Sequence, residues 1–114
     1  MIEIYHNPRC RKSREALAYI HEKGLKVEEI LYLAEPPTVK EFKLLLAKLN
    51  LGPQDLIRKN ETLFKEKFKG KSFNDDEWIR ILLEHPKLIE RPIVIKGNKA
   101  VVGRPLEKVE ELVG

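Results

Sequence analysis

The chain has 114 residues, of which 42% are hydrophobic and 35% charged, and this composition suits one folded domain with a buried core. No apolar run approaches the roughly 20 residues that span a membrane. The net charge is +4, but residues 7–14 alone contain four cations and no acid, so the rest of the chain is close to neutral. Charge confined to one short segment favours a small anion over a nucleic acid, whose binding needs several spaced phosphate contacts.

The first third of the chain predicts a β-α-β unit. IEIYH alternates apolar and polar residues before an Asn-Pro pair, which is typical of a strand. From Arg11 the apolar residues recur at helical spacing until Gly24, and LKVEEILYL predicts a second strand that ends at Glu35. This order places Cys10 in the loop that opens the first helix.

The middle of the chain is predicted to be helical. Thr38 and Glu41 form the T-x-x-E pattern of a capping box, in which each side chain accepts a hydrogen bond from a backbone N–H of the other residue. The helix that follows ends at Leu51-Gly52, and a short helix begins at Pro53 and continues to LIR. FNDDEWIRILLEHP, with acidic residues at its start, predicts another helix.

The last third predicts two strands and a helix. RPIVIKGNKAVVGRP contains two β-branched runs joined by Gly97-Asn98, a favoured hairpin turn, and PLEKVEELVG has the apolar spacing of an amphipathic helix. The full order, βαβ, a helical block and ββα, predicts a single α/β domain over 1–114 with a helical insertion at about 38–86.

The segment YHNPRCRKSRE surrounds the only cysteine, Cys10, with positive charge. The thiolate is the nucleophilic form of cysteine, and both a helix N-terminus and neighbouring cations favour it. The same N–H groups and cations, Arg11 and Lys12 included, would hold an oxyanion beside the sulfur, and the Ser13 hydroxyl could donate to either. Residue type alone favours a buried, inert cysteine, but such polar neighbours favour a reactive one.

Spacing excludes several other thiol and metal sites. Ser13 stands where a Cys-x-x-Cys dithiol would have its second cysteine, and Ala16 stands where Cys-x5-Arg phosphatases have their arginine. The three histidines lack zinc-ligand spacing, and neither a phosphate loop nor a dinucleotide fingerprint occurs, so we expect no bound metal or cofactor. A single cysteine cannot form an internal disulfide, so redox turnover would need an external thiol.

Five segments carry a resemblance to a known family: IYHNPRCRKSR, LAEPPT, LIRKNE, LLEHPKLIERPIV and VVGRP. Their order and spacing, from Ile2 to about Val113, resemble the glutaredoxin-dependent arsenate reductase family. That family has a thioredoxin-like fold with a helical insertion, so the resemblance implies a thioredoxin-like mixed sheet. It also implies that Pro92 follows a cis peptide bond.

The resemblance implies a role for each of several residues. Cys10 would attack arsenate, and His6, four residues before it, would help to activate the thiol. Arg58, Arg91 and Arg104 would bind and stabilise the arsenic oxyanion, since the planar fork of an arginine suits tetrahedral oxyanions. By the same resemblance, glutathione would act as co-substrate and resolve the arsenic adduct, and glutaredoxin would clear the resulting mixed disulfide.

The chain departs from the established reductases after the cysteine, where Arg11 and Lys12 stand in place of the Gly-Thr of Cys-Gly-Thr-Ser. Two other hypotheses therefore stay open at this point. One is a glutathione-linked thiol oxidoreductase that acts on another substrate. The other is a non-enzymatic Spx-like regulator that binds RNA polymerase, although Ser13 in place of a second cysteine argues against a disulfide switch.

The sequence also carries expectations about location and assembly. MIEIYHNP lacks the charged start, apolar stretch and cleavage site of a secretory signal, and the single cysteine needs no oxidising compartment. We therefore expect a cytoplasmic monomer that binds neither nucleic acid nor a membrane.

Overall fold

The structure, a computed structural model, describes residues Met1–Gly114. The chain divides into two compact units, one formed by Met1–Glu35 with Arg91–Gly114 and the other by Pro36–Glu90. The helical insertion predicted at about 38–86 falls within the second unit, and the single domain over 1–114 stays a prediction. None of the helices combines the length and the apolar character needed to cross a membrane.

The first unit contains a four-stranded mixed sheet. Its strands, in chain order, are β1 (Ile2–Tyr5), β2 (Val27–Ile30), β3 (Ile93–Lys96) and β4 (Lys99–Val102). Their spatial order is β2-β1-β3-β4, with β1 parallel to β2 and antiparallel to β3. The predicted hairpin is confirmed, and Gly97 in its turn has a φ of 61°, which favours glycine. The observed sheet confirms the predicted mixed α/β fold class.

Two helices of the first unit, α1 (Arg11–Glu22) and α5 (Glu107–Val113), pack with the sheet. Alternate strand residues face one side of a sheet, and helical residues three or four apart share one face, so the apolar positions meet. They form one buried cluster: Ile2, Ile4, Ala16, Ile20, Val94, Val109 and Val113. This core anchors both β1 and α1, and Cys10 lies on the short connection between them.

The second unit is mostly helical, as predicted. Its elements are α2 (Val39–Leu49), α3 (Thr62–Lys67), α4 (Asp75–Glu84) and two short 3₁₀ helices at Pro53–Leu56 and Pro86–Leu88. The predicted capping box is present, since Thr38 Oγ1 accepts a hydrogen bond from Glu41 N at 3.1 Å and Glu41 Oε1 accepts one from Thr38 N at 2.9 Å. These two bonds satisfy amide groups that a helix start otherwise leaves unpaired.

The second strand is shorter than predicted. β2 ends at Ile30, whereas the apolar pattern predicts a strand up to Glu35. The amides of Ala34 and Glu35 both donate to Leu31 O, at 3.1 and 3.0 Å, so the chain turns directly after Ile30. Of the three large apolar residues in this turn, Tyr32 is buried and stacks on the Tyr5 ring, whereas Leu31 and Leu33 are exposed.

The short helix that begins at Pro53 is also shorter than predicted. It is a 3₁₀ helix that ends at Leu56, and Ile57 instead pairs with Ile89 in an isolated antiparallel bridge. Arg58 therefore lies outside the helix. Its backbone N–H donates to Leu88 O at 2.7 Å.

Candidate active site

Cys10 lies between β1 and α1, as predicted, and it immediately precedes the first residue of α1. Its N–H donates to Asn7 O at 2.9 Å, and its C=O accepts the first helical hydrogen bond, from Arg14 N at 3.0 Å. The thiol makes no capping hydrogen bond, and 8% of the residue is exposed. Because the first N–H groups of a helix have no intrahelical partners, this position favours a negative charge on the sulfur or on an anion beside it.

Arg104 brings a guanidinium group to the sulfur. Its Nη2 donates to Cys10 Sγ at 3.3 Å, and its Nε donates to Arg91 O at 2.7 Å. The side chain is thus held at two points, and its charge lies beside the thiol. A guanidinium at this distance can also bind an anion that lies beside the sulfur.

Gly103 permits the close approach that places Arg104. Its N–H donates to Pro92 O at 2.8 Å. A Cβ added at Gly103 would come within 2.8 Å of Val109 Cγ2 and 3.0 Å of Pro92 Cγ, closer than real Cβ atoms normally lie. A side chain at position 103 would therefore separate the two backbone segments that carry the arginines of the site.

Arg91 and Arg104 both precede cis proline residues. The Arg91–Pro92 peptide bond is cis, which confirms what the resemblance implies, and the Arg104–Pro105 bond is cis as well. Arg91 Nε is buried and has no hydrogen-bond partner within the protein. A buried charged donor without an acceptor is rare and unfavourable, so this atom is suited to an acceptor supplied by an anionic ligand.

His6 and Ser13, which flank the cysteine loop in the sequence, form a buried hydrogen-bonded pair. His6 Nδ1 and Ser13 Oγ are 2.6 Å apart, and Ser13 Oγ also accepts a hydrogen bond from Asn7 N at 3.0 Å. The single hydroxyl proton of Ser13 has one acceptor within the protein, His6 Nδ1, so we assign the His6 ring proton to Nε2. Neither side chain hydrogen-bonds to the sulfur of Cys10; both hold the loop that carries it.

The pKa of His6 is lowered from its ordinary value of 6.5. Burial is the main cause, because it disfavours the charged ring; Glu29 opposes the shift, and Arg14 adds to it. His6 is therefore neutral at pH 7. This protonation state agrees with an Nδ1 atom that accepts the Ser13 hydroxyl proton.

The cations next to Cys10 in sequence point elsewhere. Arg11 Nε lies 3.2 Å from Glu15 Oε1, Lys12 Nζ lies 3.9 Å from Glu15 Oε2, and the two basic side chains are 84% and 54% exposed. Their predicted role in substrate binding stays a prediction. The cation that contacts the sulfur comes from Arg104, far away in the sequence.

Arg58 lies in the second unit. Its Nη1 is 2.7 Å from Glu61 Oε1, and its Nε is 3.9 Å from Glu90 Oε1. The guanidinium is thus compensated by two carboxylates of the same unit. The role in oxyanion binding that the resemblance implies for Arg58 stays a prediction.

Asn7 is a residue of the site that sequence reasoning does not identify. Its Oδ1 accepts a hydrogen bond from Arg9 N at 3.0 Å, its C=O accepts one from Cys10 N, and its own N–H donates to Ser13. The first of these contacts is the local side-chain turn that asparagine favours. The Asn-Pro pair, which marks the end of the first strand in the sequence, is the signal that could have identified it.

Comparison with known proteins agrees with this geometry. Residues 5–112 match the ArsC family. An arsenate reductase of Neisseria meningitidis serogroup A is 42% identical over 111 residues, which cover 96% of this chain and 95% of that protein. The uncharacterized protein YfgD of Escherichia coli K12 is 42% identical over 115 residues, which cover 99% of this chain and 97% of that protein.

The solved structures give the same result. An arsenate reductase from Vibrio cholerae has a TM-score of 0.92 and 44% identity to this chain, and the match covers 98% of this chain and 97% of that one. The match spans the mixed sheet, the cysteine loop and the helical second unit alike. The protein is a member of the ArsC family and has its thioredoxin-like fold.

Proposed function

We propose that this protein reduces arsenate, with Cys10 as the nucleophile and with Arg91 and Arg104 as the groups that hold the oxyanion. The observation that carries the proposal is the 3.3 Å contact between Arg104 Nη2 and Cys10 Sγ. A guanidinium beside the sulfur presents further N–H donors to an oxyanion. The arsenate reductases among the relatives support arsenate as that oxyanion.

The first step joins sulfur to arsenic. The Cys10 thiol and hydrogenarsenate, HAsO₄²⁻, give a Cys10–S–AsO₃²⁻ adduct and water, so that an As–S bond forms and an As–O bond breaks. The thiol proton leaves with the departing oxygen, and arsenic stays pentavalent. Arg91 Nε, which is buried without a partner, and the guanidinium of Arg104 would bind the negative oxygens as they form.

The second step transfers electrons to arsenic. Glutathione attacks the sulfur of the adduct, the S–As bond breaks, and its electron pair stays on arsenic. With protons from the glutathione thiol and from solvent, trivalent arsenic leaves as As(OH)₃, and Cys10 is left in a mixed disulfide with glutathione. A glutaredoxin thiol then takes the glutathione and restores the Cys10 thiol. An external thiol of this kind is required because Cys10 is the only cysteine of the chain.

His6 and Ser13 act as positioning residues in this proposal. They hold the loop from Asn7 to Cys10 through buried hydrogen bonds, and His6 is neutral at pH 7 because burial lowers its pKa. A neutral ring adds no charge next to a site that binds an anion. Arg104 is then the cation that hydrogen-bonds to the sulfur.

A coupled assay tests the proposal. The protein is mixed with glutathione, glutaredoxin, glutathione reductase and NADPH, with and without arsenate, and NADPH absorbance is followed. We expect NADPH loss that depends on arsenate and that disappears in Cys10→Ser. Omission of glutaredoxin should reduce the rate, because the mixed disulfide then accumulates; mass spectrometry would detect it as glutathione bound to Cys10.

Two results would contradict the proposal. Arsenate-dependent turnover that survives Cys10→Ser would remove Cys10 as the nucleophile. Disulfide exchange between Cys10 and glutathione without arsenate-dependent turnover would replace arsenate reduction by a glutathione-linked thiol oxidoreductase activity on another substrate. Near-ultraviolet circular dichroism of Cys10→Ser would establish that a loss of activity does not come from unfolding.

A further inference from the structure

A second site is suggested by a cleft in the second unit, which we call the lysine-rimmed cleft. Its volume is about 390 Å³, within the range of small-molecule sites in proteins. Ile57, Phe64, Phe68 and Trp78 supply its apolar walls. None of the residues to which the proposed reaction assigns a role lines it, so arsenate reduction leaves this cleft unexplained.

The walls of the lysine-rimmed cleft contain packed aromatic rings. The Phe64 and Trp78 rings are stacked with centroids 6.4 Å apart, and the Phe68 ring lies 6.3 Å from that of Trp78. Phe64 and Trp78 are 9% and 4% exposed, so their positions are fixed by packing. Phe68 is only partly buried, so it is the ring of these three that another aromatic ring can contact.

The rim of the cleft is strongly positive. Lys59, Lys65, Lys69 and Lys71 line it, and no acidic residue does. None of the four lysines forms an ion pair within the protein. Four like charges around one apolar cleft repel each other, and a bound anion would relieve that repulsion.

The backbone after α3 brings two of these lysines, Lys69 and Lys71, to the cleft. Lys69 N donates to Phe64 O at 2.9 Å, and Lys71 N donates to Phe68 O at 3.1 Å, so the chain folds back on the aromatic walls. Gly70 between them has a φ of 79°, a conformation that favours glycine. Two lysines of the rim and two aromatic residues of the walls thus belong to one hydrogen-bonded segment.

A second cleft, in the first unit, gives a contrast within the same protein. It is lined by Met1, His21, Leu25, Lys26, Val27 and Glu28. One lysine and one glutamate leave it without a clear excess of either charge, and no aromatic ring other than the imidazole of His21 lines it. The combination of aromatic walls with an unpaired cationic rim therefore distinguishes the lysine-rimmed cleft.

We propose that the lysine-rimmed cleft binds a small aromatic anion: a carboxylate, sulfonate or phosphate carried on an aromatic ring. The ring would pack against Phe68, which is only partly buried, and the anionic group would accept hydrogen bonds from Lys69 and Lys71. The limited volume favours a small molecule over a folded partner or a long polyanion. This site is independent of the proposed reaction at Cys10.

Trp78 allows the site to be tested with a chosen probe. It is the only tryptophan of the chain and lines the cleft, so its fluorescence reports on a ligand bound there. The probe is 8-anilinonaphthalene-1-sulfonate, and its control is N-phenyl-1-naphthylamine, which has the same rings without the sulfonate. We expect the sulfonate to bind with energy transfer from Trp78, and the neutral control to bind at least tenfold more weakly.

Matched variants locate the binding. Lys69→Gln/Lys71→Gln should weaken sulfonate binding about tenfold, since each exposed charge contributes a factor of about three. Lys26→Gln, in the cleft of the first unit, should leave the affinity unchanged. All of these lysines are exposed, so the variants should fold, and near-ultraviolet circular dichroism checks this. Added salt should weaken binding of the sulfonate but not of the neutral control.

Three results would overturn the proposal. Equal affinities for the sulfonate and its neutral control would mean a purely apolar cleft. Loss of binding in Lys26→Gln, with full binding in Lys69→Gln/Lys71→Gln, would place the anion in the first unit. Displacement of the probe by polyglutamate but not by naphthalene-2-sulfonate would assign the cleft to an acidic polypeptide instead of a small aromatic anion.

Discussion

Arg104 Nη2 lies 3.3 Å from Cys10 Sγ although the two residues are 94 positions apart in sequence. The same guanidinium donates from Nε to Arg91 O at 2.7 Å, so it is held on both sides before any ligand arrives. A planar group that is already oriented loses less conformational freedom when it binds an anion than a flexible one does. Arg104 is therefore oriented in advance to bind an anion beside the sulfur of Cys10.

Arg104→Ala should make Cys10 less reactive. The substitution removes the hydrogen bond from a charged donor to the sulfur, an interaction worth roughly 1.5–3 kcal/mol, so alkylation at pH 7 should be about fivefold slower. The rate of iodoacetamide addition to Cys10, followed by mass spectrometry, measures it. Arg104→Lys should recover only part of the rate, because one ammonium cannot replace both guanidinium contacts.

The control for this prediction is Arg11→Ala. Arg11 is next to Cys10 in sequence, but its side chain is 84% exposed and pairs with Glu15. In Arg11→Ala, we expect Cys10 to be alkylated at a rate within about twofold of that in the unaltered protein, because exposed ion pairs contribute little. Equal slowing in both variants would mean that the general positive charge of the loop, and not the Arg104 contact, controls the thiol.

Arg91→Met should weaken arsenate binding without lowering the stability of the protein. Under the proposed function, removal of an arginine donor should raise the KM for arsenate about tenfold. Because Arg91 Nε is a buried donor without a partner, its replacement should leave the free energy of unfolding unchanged or raise it by about 1 kcal/mol. Initial rates and urea denaturation measure the two effects, and Arg80→Met, at an exposed position of α4, is the control. A clear loss of stability with an unchanged KM would make Arg91 a structural residue.

Local patterns explain why much of the fold is predictable. The first strand, the capping box at Thr38 and the Gly97-Asn98 turn are each encoded within a few residues, and each is confirmed. α3 is not predicted, because its six residues span less than two helical turns and its N-cap, Glu61, makes no side-chain capping bond. Short helices of this kind depend on tertiary packing more than on local sequence.

The site is less predictable than the fold because its decisive contact is not local. The sequence around Cys10 correctly places the thiol at the start of α1, but it suggests that Arg11 and Lys12 supply the charge at the sulfur. In α1, Arg11 and Lys12 instead pair with Glu15, which lies three or four positions later. Only the resemblance to a family, and no spacing rule, points to Arg104.

Ser13→Ala should destabilise the protein by about 2 kcal/mol. The substitution removes the partner of the buried His6 Nδ1 and of the partly buried Asn7 N–H, and an unsatisfied buried polar group costs roughly 1–3 kcal/mol. Urea denaturation measures the change. Ser72→Ala, at an exposed serine, should change stability by less than about 0.5 kcal/mol. If the two variants behaved alike, the His6–Ser13–Asn7 hydrogen bonds would have no part in holding the cysteine loop.

His6 should make stability depend on pH between neutral and mildly acidic conditions. Burial lowers its folded-state pKa below 6.5, so the unfolded chain binds the proton more tightly and protonation favours unfolding. The stability that neutral His6 contributes is therefore complete above pH 6.5 and is lost as the pH falls from 6.5 through the folded-state pKa. The free energy of unfolding, measured in urea at a series of pH values, should fall over this range.

His6→Asn tests whether His6 causes that fall. Asparagine can still accept a hydrogen bond from the Ser13 hydroxyl but does not titrate, so the variant should have a flatter pH dependence below 6.5. His21→Asn alters an exposed histidine and should follow the curve of the unaltered protein. If His6→Asn lost stability in parallel with the unaltered protein, the pH dependence would come from other groups, and the neutral state of His6 would contribute nothing to folding.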